Sequence, residues 1–105
     1  MIVINQLWGF LMSKNRKRAV MVKLNAETDF VAKGDAFQDF LSNTLKLLLV
    51  KDVDVNLEKD DASIESLLND LKYDSSNSIE EARKLLIAKT KEKVQFDQIS
   101  SIKGN

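Results

Sequence analysis

The strongest pattern in this sequence is an apolar stripe that repeats every three or four residues after Gly34. Its members are Phe37, Phe40, Leu41, Thr44, Leu45 and Leu48. Polar side chains occupy the intervening positions, which is typical of an amphipathic helix with one buried face. The pattern predicts a helix over residues 36–50, with Asp35 placed to cap its start.

Period-2 patterns before and after this stripe predict strands. Residues 9–13 and 18–25 are rich in Val, Met, Phe and Leu, and the polar tetrad 14–17 between them predicts a hairpin. Along the second arm the better-buried face is formed by Val20, Val22 and Leu24. A last strand is predicted over 94–102. Its alternation slips between Phe96 and Ile99, which indicates a bulge or an early end.

Two shorter helices are predicted in the second half of the chain. Ile64, Leu67, Leu68 and Leu71 repeat at helical spacing behind Asp61, whereas residues 51–61 lack a strong period and are interpreted as a loop. Ser78 and Glu81 form a capping-box pair that opens a helix over 79–89. The predicted fold is α+β, with a three-stranded antiparallel sheet and about three helices packed on one face.

Length and charge limit the classes of protein that this chain can represent. A chain of 105 residues fits one domain, predicted here as residues 9–105 behind an N-terminal extension of residues 1–8. The 16 basic and 16 acidic side chains cancel, so no global field favours nucleic acid or an anionic membrane. The apolar run at the start is too short to span a bilayer. The absence of cysteine excludes disulfides and favours an intracellular compartment.

Residue types needed for common catalytic sites are missing. The sequence has no His and no Cys, which excludes hydrolytic triads and zinc sites. The three glycines are isolated, so there is no phosphate-binding loop. The acidic pairs 60–61 and 80–81 fit a loop and a helix N-terminus. The sequence predicts a protein that is not an enzyme, with no catalytic residues, no metal, no cofactor and no nucleotide site of its own.

A basic cluster at the hairpin leaves a second possibility open. Lys14, Arg16, Lys17 and Arg18 could contact RNA, but no aromatic stacking platform accompanies them. A solvated hairpin tip is the preferred interpretation, and a weak RNA-binding domain remains an alternative.

One segment carries a specific resemblance. The residues NAETDFVAKGDAFQ, from Asn25 to Gln38, resemble the elongation factor Ts pattern N-C-E-T-D-F-V-A followed by a polar pair and F-Q, with Ala26 in place of the Cys. Later in the chain, LIAK at 86–89 followed by Glu92 resembles that family's L-I-A-K-I-G-E-N-I. The sequence departs from it at 90, 91 and 93, where Thr, Lys and Lys replace Ile, Gly and Asn. The resemblance spans residues 9–104.

This resemblance implies the N-terminal core subdomain of a guanine-nucleotide exchange factor that acts in translation elongation. It implies elongation factor Tu as the partner, and no specific nucleic acid or membrane. By the same resemblance Phe30 is a wedge that enters the nucleotide-binding domain of elongation factor Tu, disturbs its magnesium site and weakens GDP binding. Asp29 is the polar companion of the wedge, while Thr28 and Val31 hold the turn. Bacterial cytoplasm is the implied compartment, and a mitochondrial or plastid matrix is the alternative.

Aromatic residues divide into two expected groups. Spacing alone favours a core or helix-staple position for Phe30, but the motif match favours exposure, because a wedge must be available before its partner arrives. Phe37, Phe40, Phe96 and Trp8 are expected in the core. A non-exchanging interaction module of the same fold is the competing hypothesis.

Overall fold

The computed structural model describes residues 5–103 as an antiparallel sheet covered by helices. Its elements are β1 (Gln6–Met12), β2 (Arg18–Asn25), α1 (Asp29–Ala32), α2 (Asp35–Val50), β3 (Asn56–Glu58), α3 (Ala62–Asp70), α4 (Ile79–Thr90) and β4 (Gln95–Lys103). The strand order is β1-β2-β4-β3 with every neighbouring pair antiparallel. Within these residues no helix is long and apolar enough to cross a membrane. Residues 1–4 of the predicted extension, and the last two residues, lie outside the described part.

The main helix confirms the predicted stripe. All six stripe residues of α2 are buried, and Phe37 has no exposed surface. The predicted cap is wrong, because Asp35 is the first helical residue and Gly34 occupies the N-cap position without a side chain to contribute. Asp35 still lies in the first turn, where a carboxylate interacts favourably with the helix dipole.

Helix α2 packs on the face of the sheet that Val20, Val22 and Leu24 present. The two elements are close at Gly9 of β1, where an added Cβ atom would lie 2.5 Å from Cδ1 of Leu45. A side chain at this position would therefore require the Leu45 side chain to shift. Residues of α3, α4 and β4 complete the same core.

The strand registers explain the alternation of apolar residues along the strands and its shift between Phe96 and Ile99. Strand β1 begins at Gln6, three residues before the predicted start, and pairs with β2 as far as Met12 opposite Ala19. Between β2 and β4, Lys23 pairs with Gln98 whereas its neighbour Leu24 pairs with Phe96. Asp97 is thus the extra residue of a β-bulge, which confirms the bulge inferred from the sequence.

Trp8 corrects one of the core predictions. Its side chain is 52% exposed on the face of the sheet that points away from α2, and Phe10 and Met12 are exposed on the same face. The reason is strand alternation: because Gly9 faces the helix, its neighbours Trp8 and Phe10 face outward. The Lys23 ammonium lies 5.3 Å from the Trp8 ring centroid, in range for a cation–π interaction. Phe40 and Phe96 are buried as predicted.

The sequence patterns predicted three strands and three helices, whereas residues 5–103 contain four of each, so two short elements were missed. Strand β3 lies in the segment interpreted as a loop, and pairs with β4 through Leu57 opposite Ile99. Helix α1 is a single turn. Elements of three or four residues are too short to show a hydrophobic period.

The two later helices begin as the sequence predicts. Asp61 is the N-cap of α3, and its carboxylate accepts a hydrogen bond from the Ser63 amide at 2.9 Å. At α4 the Ser78 hydroxyl accepts from the Glu81 amide, and the Glu81 carboxylate accepts from the Ser78 amide. This is the predicted capping box, and it satisfies two amides that have no partner within the helix.

We expect Phe37→Ala to destabilise the domain by about 3 to 5 kcal/mol, because truncation of a fully buried aromatic side chain leaves a cavity between α2 and the sheet. Denaturant unfolding followed by circular dichroism measures this loss. Val50→Ala is the matched control, since Val50 is an exposed residue of the same helix and its truncation should change the free energy of unfolding by at most about 0.5 kcal/mol. Equal losses in the two variants would contradict the assignment of the core.

A second prediction concerns pH. The hydrogen bond from the Ser78 amide holds the pKa of the Glu81 carboxyl below its ordinary value of 4.5. The folded state therefore favours the ionised form, and the stability that this provides is present above the unfolded-state pKa and lost as the pH falls through the folded-state pKa. Glu81→Gln keeps a capping box but cannot titrate. The melting temperature of the parent relative to Glu81→Gln should fall as the solution is acidified below 4.5, and a difference independent of pH would refute this.

Candidate functional site

The turn that carries the first motif lies between β2 and α2, where the chain leaves the sheet. Thr28 has extended backbone angles (φ −129°, ψ 157°) and is the N-cap of α1. Its hydroxyl oxygen accepts a hydrogen bond from the Val31 amide at 3.3 Å. Asp29 follows in the first turn and forms an ion pair with Lys33 at 3.5 Å, but both side chains are largely exposed, so this pair adds little stability.

Phe30 points into solvent from this single turn. Its side chain is 84% exposed, the largest value among the big apolar residues of the described chain. Its neighbours Val31 and Ala32 are buried in the core. The predicted exposure of Phe30 is therefore confirmed, and it contrasts with Phe37 in the next helix, whose side chain is fully buried.

The four residues predicted for the site occupy distinct positions in one turn. Thr28 caps it, Asp29 and Phe30 face outward, and Val31 anchors it in the core. An exposed aromatic ring on a backbone that is fixed from both sides is an arrangement suited to insertion into a pocket of another protein. Within residues 5–103 no cluster of three or more acidic, His or Cys side chains could hold a metal ion.

Glu92, after the end of α4, is part of the site that sequence reasoning missed. One carboxylate oxygen accepts from the Thr28 amide at 2.9 Å, and the other accepts from the Thr28 hydroxyl at 2.7 Å. In the opposite direction the Lys93 amide donates to the Glu27 carboxylate at 2.6 Å. The partners are separated by more than 60 residues, so no local pattern could pair them. The available signal was that Glu92 falls within the second segment of family resemblance.

The turn that carries Glu92 keeps a left-handed residue despite its departure from the family pattern. Lys91 ends α4 with φ 63°, a conformation that glycine adopts without strain. The elongation factor Ts pattern has Gly at this position, and here Lys occupies it. The substitution has not removed the turn.

The acidic pairs lie at or just before helix N-termini, as the sequence suggested. Asp60 precedes the α3 cap, and Glu80 lies in the first turn of α4. Glu80 is buried and forms a two-pronged ion pair with Arg83, which also donates to the Val94 carbonyl at 2.6 Å. This carboxylate raises the pKa of the Arg83 guanidinium. The group ties α4 to the start of β4.

The basic hairpin is smaller than the sequence suggested. Lys14, Arg16 and Lys17 are exposed at the tip. Arg18, by contrast, begins β2 and is engaged with the segment after α2: it forms an ion pair with Asp52 and donates to the Val53 carbonyl at 2.9 Å. Three cations therefore remain at the tip.

Comparison with known proteins agrees with the resemblance read from the two motifs. The family model described as "Elongation factor TS" matches residues 27–105. Elongation factor Ts of Vesicomyosocius okutanii is 36% identical over 104 residues, covering 99% of this chain and 33% of that protein. Elongation factor Ts of Psychrobacter sp. is 32% identical over 97 residues, covering 92% of this chain and 30% of the relative.

Elongation factor Ts of Xanthomonas campestris is 36% identical over 85 residues, covering 81% of this chain and 26% of the relative. The chain thus spans about a quarter to a third of the length of these relatives. The family model covers most of the chain, including all but two residues of the turn-forming motif. The chain belongs to the elongation factor Ts family.

Proposed function

We propose that this chain binds elongation factor Tu and promotes the release of GDP from it during protein synthesis. The observation that carries the proposal is the exposure of Phe30 on a turn whose neighbouring residues are buried or hydrogen-bonded. Membership of the elongation factor Ts family supports elongation factor Tu as the partner. The proposed setting is the bacterial cytoplasm, supported by the bacterial relatives, with an organelle matrix as the alternative.

The mechanism proposed for the site is insertion of the Phe30 ring into the nucleotide-binding domain of the partner. Asp29 accompanies the ring as a polar contact, while Thr28 and Val31 keep the turn in place. Insertion disturbs the magnesium site of elongation factor Tu and thereby weakens its hold on GDP. In this mechanism the chain acts by protein contact alone, with no covalent step.

The free energy that insertion of Phe30 can provide is limited by the burial of one side chain. Burial of a Phe side chain contributes roughly 1.5 to 3 kcal/mol, and each 1.4 kcal/mol changes an affinity by about tenfold. Phe30 alone can therefore supply about one or two decades of weakened GDP binding, and a wider contact surface has to supply any larger effect. Because coupling between two ligands is reciprocal, GDP must weaken the binding of this chain by the same factor.

We expect Phe30→Ala to slow GDP release from elongation factor Tu about tenfold or more while the free energy of unfolding changes by less than about 0.5 kcal/mol. The ring has little contact with its own domain, so its loss should be felt only by the partner. Release of fluorescently labelled GDP and thermal melts of the same preparations measure the two effects.

Leu85→Ala is the matched control, because Leu85 is an exposed apolar residue of α4 and its truncation should alter neither quantity. Binding to nucleotide-free elongation factor Tu is measured alongside. A parent chain that binds without accelerating GDP release would indicate the non-exchanging interaction module. Loss of stability in Phe30→Ala, or unchanged binding and exchange, would show that Phe30 is not the wedge.

A further inference from the structure

The turn that carries Phe30 is too small to be stable by itself. Helix α1 has four residues, and a single helical turn fixes several backbone dihedral angles in return for few hydrogen bonds. Phe30 adds no burial that would hold the turn in place. Contacts from other parts of the chain must therefore set the direction in which the ring points.

The core fixes one side of the turn through the buried side chains of Val31 and Ala32. The other side is fixed by hydrogen bonds between two pairs of neighbouring residues. Glu92 accepts from both the amide and the hydroxyl of Thr28, and Glu27 accepts from the amide of Lys93. We call these four residues the cross-clamp. All three of these hydrogen bonds end on a carboxylate oxygen, which makes them stronger than bonds between neutral groups.

The Thr28 hydroxyl connects Glu92 to the N-cap of α1. A hydroxyl group has one proton to donate and two lone pairs that accept. The Thr28 hydroxyl donates its proton to Glu92 and accepts from the Val31 amide, so one group makes both contacts. The residue that caps α1 is thus held by a side chain that lies 64 residues away in the sequence.

The ion pair within the turn is too weak to replace this contact. The Asp29–Lys33 ion pair spans 3.5 Å between side chains that are 46% and 71% exposed, and pairs of this kind contribute little in water. Glu92, by comparison, is half-buried.

We propose that Glu92 is a positioning residue, which orients the turn bearing Phe30 through Thr28 without itself entering the partner. The inference rests on the proposed function, since that function gives the Phe30 ring its role. A turn that is ordered before the partner arrives loses less conformational entropy on binding, so its affinity is higher. The C-terminal end of α4 thereby acts on the binding residue through the cross-clamp.

The first test needs no partner. Amide hydrogen exchange of Val31, Ala32 and Lys33 reports the order of the turn, and none of these amides bonds to Glu92. We expect their exchange to accelerate at least about tenfold in Glu92→Ala, and less in Glu92→Gln, because the Gln side chain offers one oxygen in place of two. Hydrogen exchange of the amides paired between β2 and β4 reports whether the rest of the fold is intact. Glu81→Gln, which makes the same chemical change at the other end of α4, should leave the turn unaffected.

The second test asks whether Glu92 acts through Phe30. Binding to nucleotide-free elongation factor Tu is measured for the parent, Glu92→Ala, Phe30→Ala and the double variant. We expect Glu92→Ala to weaken binding about tenfold in the parent and to have almost no effect once Phe30 is absent, because coupled residues are not additive. A residue that only stabilised the fold would weaken both backgrounds equally.

The outcomes separate the two proposals. The role of Glu92 would be overturned if the turn amides exchange at the parental rate in Glu92→Ala. It would also be overturned if Glu92→Ala weakens binding by the same factor with and without Phe30. If the parent does not bind elongation factor Tu, the proposed function fails. Amide exchange then decides alone whether Glu92 holds the turn. If Glu92→Ala unfolds the sheet as well, Glu92→Gln takes its place in both measurements.

Discussion

The packing of α2 against β1 and β2 is the contact on which the rest of this structure depends. The apolar stripe of the helix has to be buried, and the sheet offers a face of branched side chains from β2 to receive it. Gly9 permits the two backbones to approach, since a Cβ at this position would meet Leu45. Strand β2 is thereby fixed, and the segment that leaves it at Asn25 starts from a defined point.

The site follows from the short connection between that strand and that helix. Between Asn25 and Gly34 the chain must leave the sheet and enter α2, and it does so through one helical turn. A single helical turn on the surface has one side that faces the core and one that faces solvent. Val31 and Ala32 lie on the core side, and Phe30 lies on the solvent side. An aromatic ring that is exposed to water contributes little to the stability of its own domain, and the binding role proposed for Phe30 starts from this exposure.

The cross-clamp connects the two segments that resemble the elongation factor Ts pattern. In the sequence they are separate motifs, one before the main helix and one at the end of α4. In the structure their polar residues meet, with Glu27 and Thr28 on one side and Glu92 and Lys93 on the other. The departure at Lys91 leaves this contact in place, because the residue adopts the left-handed conformation that the turn requires. Two motifs of one family can thus encode a single site.

The sequence by itself determined the elements whose signals are local. The period of α2, the capping box at Ser78, the cap at Asp61 and the slip of alternation that became the bulge at Asp97 all reflect chemistry within a few residues. The family resemblance also identified the turn and anticipated the exposure of Phe30. Tertiary structure alone decided features that depend on distant neighbours. Trp8 faces outward because its strand extends further and Gly9 takes the inward position, and a three-residue strand such as β3 exists only because β4 offers an edge. Glu92 reaches Thr28 only when α4 and β4 have been folded back beside β2, since a hydrogen bond over 64 residues leaves no periodic trace in a sequence.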